Sequence, residues 1–139
     1  MTPFLQQLVE RGCITAAPDT SLQNIAETMT KKRIGTVVIC ADDAVVGIVS
    51  ERDIIRTIAA KGSITSLSAQ DIMTRDVFVI DPNVNSTTIM DLMSERKIRH
   101  IPIVEHGRLH GIVSITDVVR RLSEKTRDEA EQMRAFINA

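Results

Sequence analysis

A chain of 139 residues can bury about two-thirds of the surface its unfolded form exposes, enough for a core without metal or disulfide support. It has no Trp, no Tyr and only Phe4, Phe78 and Phe136, and its formal charge is -1. Stacking platforms for bases are therefore scarce, and nothing draws the chain to phosphate polymers or anionic lipid, so nucleic acid and membrane are poor partners.

The opening Phe4-Leu5-x-x-Leu8-Val9 is too short and interrupted for a leader or a span and reads as an amphipathic turn or two. A first strand is expected near Cys13-Ile14-Thr15. Pro18-Asp19-Thr20 then starts a helix, with Thr20 and Gln23 spaced as a capping box and Leu22, Ile25, Ala26 and Met29 at helical intervals. Lys31, Lys32 and Arg33 close it, where cations suit the negative pole of the helix dipole. Residues 36–40 and 45–49 are β-branched apolar runs split by Asp42-Asp43, the pattern of an antiparallel hairpin. Ser50 begins the next helix, carrying Ile54, Ile55 and Ile58. A connector follows, with a short helical stretch over 69–73.

The second half is expected to repeat these elements: strand 77–80, helix from about 85 to 96, hairpin 101–113 turning at His106-Gly107, and helix from Ser114. From Lys125 the sequence is charged and alternating, with Ala130, Met133, Phe136 and Ile137 on one side. It predicts an additional amphipathic helix whose apolar side needs a partner.

The two halves are one unit written twice. Gly47-Ile48-Val49-Ser50-Glu51-Arg52-Asp53 returns as Gly111-Ile112-Val113-Ser114-Ile115-Thr116-Asp117, an offset of 64, and the same offset relates Pro18 to Pro82, Ile25 to Ile89, Met29 to Met93 and Ile34 to Ile98 without a gap. The expected organisation is a first repeat with an N-terminal extension over 1–62, a connector over 63–76, a second repeat over 77–124 and the terminal helix over 125–139. The fold class is α+β, each repeat running β-α-β-β-α, with the two packed about a pseudo-two-fold. The cleft between them is the first place to look for a ligand.

Each copy places a hydroxyl and a carboxylate at one strand-to-helix junction, Ser50 with Asp53 and Ser114 with Asp117. Ser-x-x-Asp before an apolar run is itself a helix-capping pattern. Capping does not call for the preceding Gly-Ile-Val or the Arg three residues after the Asp, yet both copies carry them. A binding role and a capping role are compatible at this point.

The doubled pattern of Pro-(Asp/Asn), helix, hairpin and Gly-h-h-Ser-x-x-Asp resembles the CBS-domain family, named for a module at the end of cystathionine β-synthase, and two such motifs in tandem resemble a Bateman module. Ser50-Glu51-Arg52-Asp53-Ile54, Ala69-Gln70-Asp71-Ile72-Met73-Thr74 and Ile98-Arg99-His100-Ile101-Pro102-Ile103-Val104 are similar to small stand-alone bacterial CBS pairs. The resemblance implies a regulatory sensor of adenosine ligands, AMP, ADP, ATP, NAD(H) or less often S-adenosylmethionine, bound in clefts between the repeats. It assigns the ribose hydroxyls to Asp53 and Asp117. Ser50, Arg52, Ser114 and Thr116 fall near ribose and phosphate. The base falls around Thr15 with Ile34, Gly35, Thr36 and Val37 in one copy, and around Val79 with Ile98, Arg99, His100, Ile101 and Pro102 in the other. A carboxylate can accept from two vicinal hydroxyls, and aliphatic walls suit a purine face.

The copies differ where Arg99-His100-Ile101-Pro102 answers to Gly35-Thr36-Val37-Val38, and where Thr116 answers to Arg52, so two unequal sites are expected. Cys13 and Cys40 form no C-x-x-C, and Cys40 ends an apolar run as a small buried residue would. No phosphate loop, nucleophile elbow or metal-spaced cluster stands out, so neither an enzyme nor a catalytic cofactor is expected. The remaining expectations are a cytoplasmic location, a homodimer and an unidentified effector protein. The rival reading is a structural or protein-interaction module whose Ser and Asp only cap helices.

Overall fold

The computed structural model describes residues 1–138. In chain order the elements are α1 (Pro3–Arg11), β1 (Thr15–Ala16), α2 (Leu22–Lys32), β2 (Thr36–Ala41), β3 (Ala44–Ser50), α3 (Glu51–Lys61), α4 (Ala69–Ile72), α5 (Ser86–Arg96), β4 (His100–Glu105), β5 (Arg108–Ser114) and α6 (Ile115–Asn138). The architecture is α+β, one sheet of order β1-β2-β3 and one of β4-β5, each with its own helices.

Equivalent sequence produces equivalent local geometry. Both hairpins turn on two residues of positive φ, Asp42 (51°) and Asp43 (67°) in the first, His106 (53°) and Gly107 (75°) in the second, the backbone that a two-residue turn between right-twisted strands requires. The register shifts at Ile39/Cys40 in one pair and at Ile103/Val104 in the other, positions 64 apart. Arg33 and Lys97, also 64 apart, end α2 and α5 in the left-handed region, each sending its N–H back into the last turn.

Two apolar cores result. The first contains Leu22, Ile25, Met29, Val37, Ile39, Val49 and Ile54 together with Ile64, Ala69 and Met73 from the connector and α4. The second contains Ile80, Ile89, Met93, Ile101, Ile103, Val113 and Val118 together with Leu5 and Leu8 of α1. The N-terminal helix thus completes the second core, and the connector helix occupies the matching place in the first: Leu5 and Ala69 are both fully buried and lie 64 residues apart. Two motif glycines make room for these helices. A Cβ on Gly47 would lie 2.7 Å from Met73 Cγ, and one on Gly111 would lie 3.3 Å from the Leu8 carbonyl oxygen and from Val9 Cα.

Four expectations need correction. The opening is a nine-residue helix, capped by Thr2, whose hydroxyl accepts the Leu5 N–H at 3.4 Å. The cap of α2 is Ser21, accepting the Asn24 N–H at 3.1 Å. Thr20 instead accepts from the Ala17 N–H at 3.1 Å and closes the preceding turn, while the Gln23 amide turns to Glu27 at 3.2 Å. Residues 77–80 do not form a strand: Ile80 alone joins the second sheet, donating to the Pro102 carbonyl and accepting from Val104 N–H, while Phe78 turns under the guanidinium of Arg96 at 3.7 Å from the ring centre. The terminal helix is not separate but the continuation of α6 through Asn138. Gly62 stops α3 with φ 81°, whereas its counterpart 64 residues on is Thr126, which bonds to the Leu122 carbonyl and lets the helix run on.

Candidate functional site

The two Ser–Asp junctions fold identically. Ser50 Oγ accepts the Asp53 N–H at 3.1 Å and Asp53 Oδ2 accepts the Ser50 N–H at 2.9 Å; Ser114 and Asp117 repeat this at 3.1 and 2.8 Å. Both motifs are reciprocal capping boxes at helix starts. Their surroundings then diverge. Asp117 is 7% exposed and receives both arms of Arg11, Nη1 to Oδ1 at 2.8 Å and Nη2 to Oδ2 at 3.0 Å, with Nη2 also donating to the Ile112 carbonyl at 3.1 Å. Asp53 is half-buried and has only Arg56, at 3.7 Å. Arg75, 64 residues after Arg11, bonds instead to the Gln70 carbonyl at 2.9 Å. Burial pushes the Asp117 carboxyl upward, but the bonds from Arg11 and Ser114 outweigh it and hold it below the usual range.

Two clefts between the repeats are related by the same offset. The larger, about 580 Å³, joins Cys13, Ile14, Ile34, Gly35 and Thr36 of the first repeat to Ile112, Ser114 and Thr116 of the second, and it carries Arg11, Lys32, Arg33 and His100. No acidic residue lines it. The smaller, about 190 Å³, is built from counterparts of those residues: Ile48, Val77, Phe78, Arg96, Ile98 and His100 answer to Ile112, Cys13, Ile14, Lys32, Ile34 and Thr36, with Thr74 and Asp76 completing it. Phe78 under Arg96 occupies room that Ile14 and Lys32 leave open. A third cleft, about 320 Å³, separates α1 from the start of α6 and contains Phe4, Arg11, Asp117, Arg120 and Arg121.

Thr36 and His100 are copy-related, and both face the larger cleft. Thr36 is 8% exposed and its hydroxyl has no hydrogen-bond partner. A buried unmet hydroxyl costs about 1–3 kcal/mol, which a bound polar group would offset. His100 borders both clefts. Burial, then the neighbouring Arg99, lower its pKa, against weaker opposite pulls from Asp117 and Glu51.

Of the residues singled out from sequence, Ile34, Thr36, His100, Ser114 and Thr116 meet at the larger cleft. Asp117 lies in the adjoining α1/α6 cleft. Val37, Ile101 and Pro102 are buried, Val37 in the first core and Ile101 in the second. Thr15 and Val79 are exposed one residue beyond cleft-lining neighbours, and Arg99 is exposed. Ser50, Arg52 and Asp53 sit at the start of α3 and line none of the three clefts. Gly35 in the larger cleft and Ile98 in the smaller fall within the segments expected around the base, whereas sequence reasoning missed Arg11, Gly12, Cys13, Ile14, Lys32, Arg33 and Ile112 in the larger cleft, and Ile48, Thr74, Asp76, Val77, Phe78 and Arg96 in the smaller. Lys32 and Arg96 share the offset of 64 and could have been found from it.

Among the described residues no cluster of His, Cys, Asp or Glu has metal-holding geometry, and no helix is long and apolar enough to cross a membrane. The family model for the CBS domain matches residues 5–60 and again 69–124. A mitochondrial CBS domain-containing protein of Arabidopsis thaliana is 33% identical over 125 residues, which cover 86% of this chain and 61% of that one. The crystal structure of a CBS-domain containing protein from Agrobacterium tumefaciens superposes with a TM-score of 0.77 at 36% identity, over 84% of this chain and 90% of the other. The CBS domain pair of protein MJ0100, solved with 5′-methylthioadenosine and S-adenosyl-L-methionine, superposes with the same TM-score at 26% identity, over 87% and 96%.

Proposed function

The chain belongs to the CBS-domain family, and we propose that it is a regulatory module binding AMP, ADP, ATP or NAD(H) in the larger cleft. The observation that carries this reading is the cleft's composition: an orphaned threonine hydroxyl among aliphatic walls, with four basic side chains and no acid lining it. Ile14, Ile34 and Ile112 offer flat apolar surface to a purine, and Thr36 Oγ1 supplies a hydrogen bond to the base edge. Ser114 lines this cleft as a group for the ribose, and the Asp117 carboxylate, in the adjoining α1/α6 cleft and joined to this one through Arg11, is the second. Lys32 and Arg33 supply positive charge for phosphate, and His100, neutral in the free cleft, can donate to it or join them as imidazolium once the phosphate is bound. The related pair bound to two adenosine compounds supports an adenosine ligand for this chain as well. The smaller cleft, with Ser50, Arg52 and Asp53 nearby on α3, is a weaker second site.

The module transmits its state through assembly. Ile55 and Ile58 on α3 and Val119 on α6 are exposed apolar residues, Ile55 and Val119 being copy-related, and Met133, Phe136 and Ile137 extend the apolar surface. A homodimer through these helices, in the cytoplasm and coupled to an effector protein, is the arrangement we propose, with no catalysis of its own. The competing reading, an interaction module without ligand, is favoured by one observation: both Ser–Asp pairs already close complete helix caps. Thermal melts with AMP, ADP, ATP, NAD, NADH and S-adenosylmethionine separate the two. A ligand at 100 times its dissociation constant adds about 2.7 kcal/mol, several degrees for a chain this size. Melts unchanged by all six at millimolar concentration favour the interaction module.

A further inference from the structure

We propose that Arg11 is the specificity-determining residue of the larger cleft: it withholds the Asp117 carboxylate from uncharged adenosine compounds and releases it to ligands that bring a phosphate. The inference rests on the reading of that cleft as an adenosine-ligand site and deepens it.

A carboxylate has about four acceptor positions. At Asp117 three are filled, by the two arms of Arg11 and by the Ser114 N–H, at 2.8, 3.0 and 2.8 Å. A ribose needs two of them for its vicinal hydroxyls. The diol can therefore engage Asp117 only if an Arg11 bond opens. The Ser114 bond belongs to the helix cap and is held by backbone.

The two partners differ in freedom. The Asp117 side chain is 6% exposed and fixed in the first turn of α6, whereas that of Arg11 is 48% exposed. Arg11 stands at the last turn of α1, just before Gly12, whose φ of 73° turns the chain away. Arg11 borders both the α1/α6 cleft and the larger cleft. It can leave Asp117 and remain in the cavity; Asp117 cannot follow. A guanidinium is charged at any working pH, so Arg11 stays cationic whichever anion it faces.

An uncharged ligand that takes Asp117 leaves this cation without an anion. A phosphorylated ligand exchanges one anion for another, because its phosphate enters a cleft already lined by Lys32 and Arg33. The discrimination is thus an exchange of partners, on top of simple attraction between phosphate and basic residues. The device is confined to one repeat, since Arg75 bonds to its own neighbourhood and leaves Asp53 open.

The test is isothermal titration of the full chain, wild type and Arg11→Gln, with ATP, AMP, adenosine and 5′-methylthioadenosine. Wild type should prefer the phosphorylated ligands by about a hundredfold. In Arg11→Gln that ratio should fall about tenfold or more, with adenosine binding as tightly as before or tighter while ATP weakens. Arg11→Lys keeps the charge but loses the two-armed grip, and should lower the ratio by a smaller factor; it also serves if Arg11→Gln does not fold. Ratios unchanged within threefold, or adenosine and ATP weakening in parallel, overturn the role of Arg11. A wild type that binds none of the four overturns the adenosine-ligand reading itself, and the proposal with it.

Discussion

Replacing Asp117 with Ala should destabilise the fold more than replacing Asp53, although the two residues occupy the same place in the repeat. Each change removes the carboxylate half of a capping box, worth about 1 kcal/mol. Asp53 adds almost nothing further, because its contact with Arg56 is long and Arg56 is largely exposed. Asp117→Ala also strands Arg11. Breaking a fully buried ion pair costs about 3–5 kcal/mol, but Arg11 is half-exposed and water can rehydrate it, which reduces that part to about 1–2 kcal/mol. The expected losses are about 2–3 kcal/mol for Asp117→Ala and about 1 kcal/mol for Asp53→Ala. Urea unfolding followed by circular dichroism measures both, and adding Arg11→Ala alone and in combination isolates the coupling, expected at about 1–2 kcal/mol. Equal losses at the two positions, with coupling near zero, would show that the Arg11–Asp117 pair contributes nothing and refute the reasoning.

Four other outcomes are expected. Burial lowers the His100 pKa, so its neutral form stabilises the fold above the unfolded value near 6.5, and that contribution is lost as pH falls through 6.5 towards the folded value; wild type should lose melting temperature over that window faster than His100→Gln. A bound phosphate reverses the sign at this residue by favouring imidazolium, so titrations in buffers of different ionisation heat should show proton uptake with AMP and none with adenosine. Gly47→Ala should destabilise by about 1–3 kcal/mol, because the new methyl meets the Met73 side chain down to its Cβ at 3.0 Å; a neutral result in urea unfolding means α4 does not hold its position against β3. Light scattering should find a dimer for the full chain and a weaker one for a chain ending at Ser123, whereas a monomer at micromolar concentration removes the helix-mediated assembly.

The repeat made most of the architecture legible, because an ungapped offset of 64 carries hairpin turns, bulges and helix ends from one copy to the other. What escaped were features set by tertiary packing and by single residues at which the copies differ. Phe4-Leu5-x-x-Leu8 reads as an amphipathic turn or two, but nothing in it shows that it completes the second core, where Gly111 has left space for its backbone. Phe78 has the composition of a strand residue, but its ring is taken by Arg96 and the strand dissolves around it. The end of α3 and the run-on of α6 depend on one exchange, Gly62 against Thr126, that periodicity does not register. The cleft was legible only in halves. Ile34 and Thr36 were visible in one repeat and Ser114 and Thr116 in the other, but nothing in either repeat reveals that they face each other, or that Arg11 reaches across to Asp117.

The central claim is that an adenine nucleotide occupies the larger cleft, and methyl-labelled isoleucine spectra recorded during an AMP or ATP titration test it most directly. Ile14, Ile34 and Ile112 line that cleft, Ile25 and Ile89 lie fully inside the two cores, and Ile55 and Ile137 are exposed on helices away from it. The account predicts saturable shifts at Ile14, Ile34 and Ile112, with the core and outer-helix methyls nearly unmoved. Saturating nucleotide that leaves those three signals in place, or that shifts only Ile55 and Ile137, would contradict it.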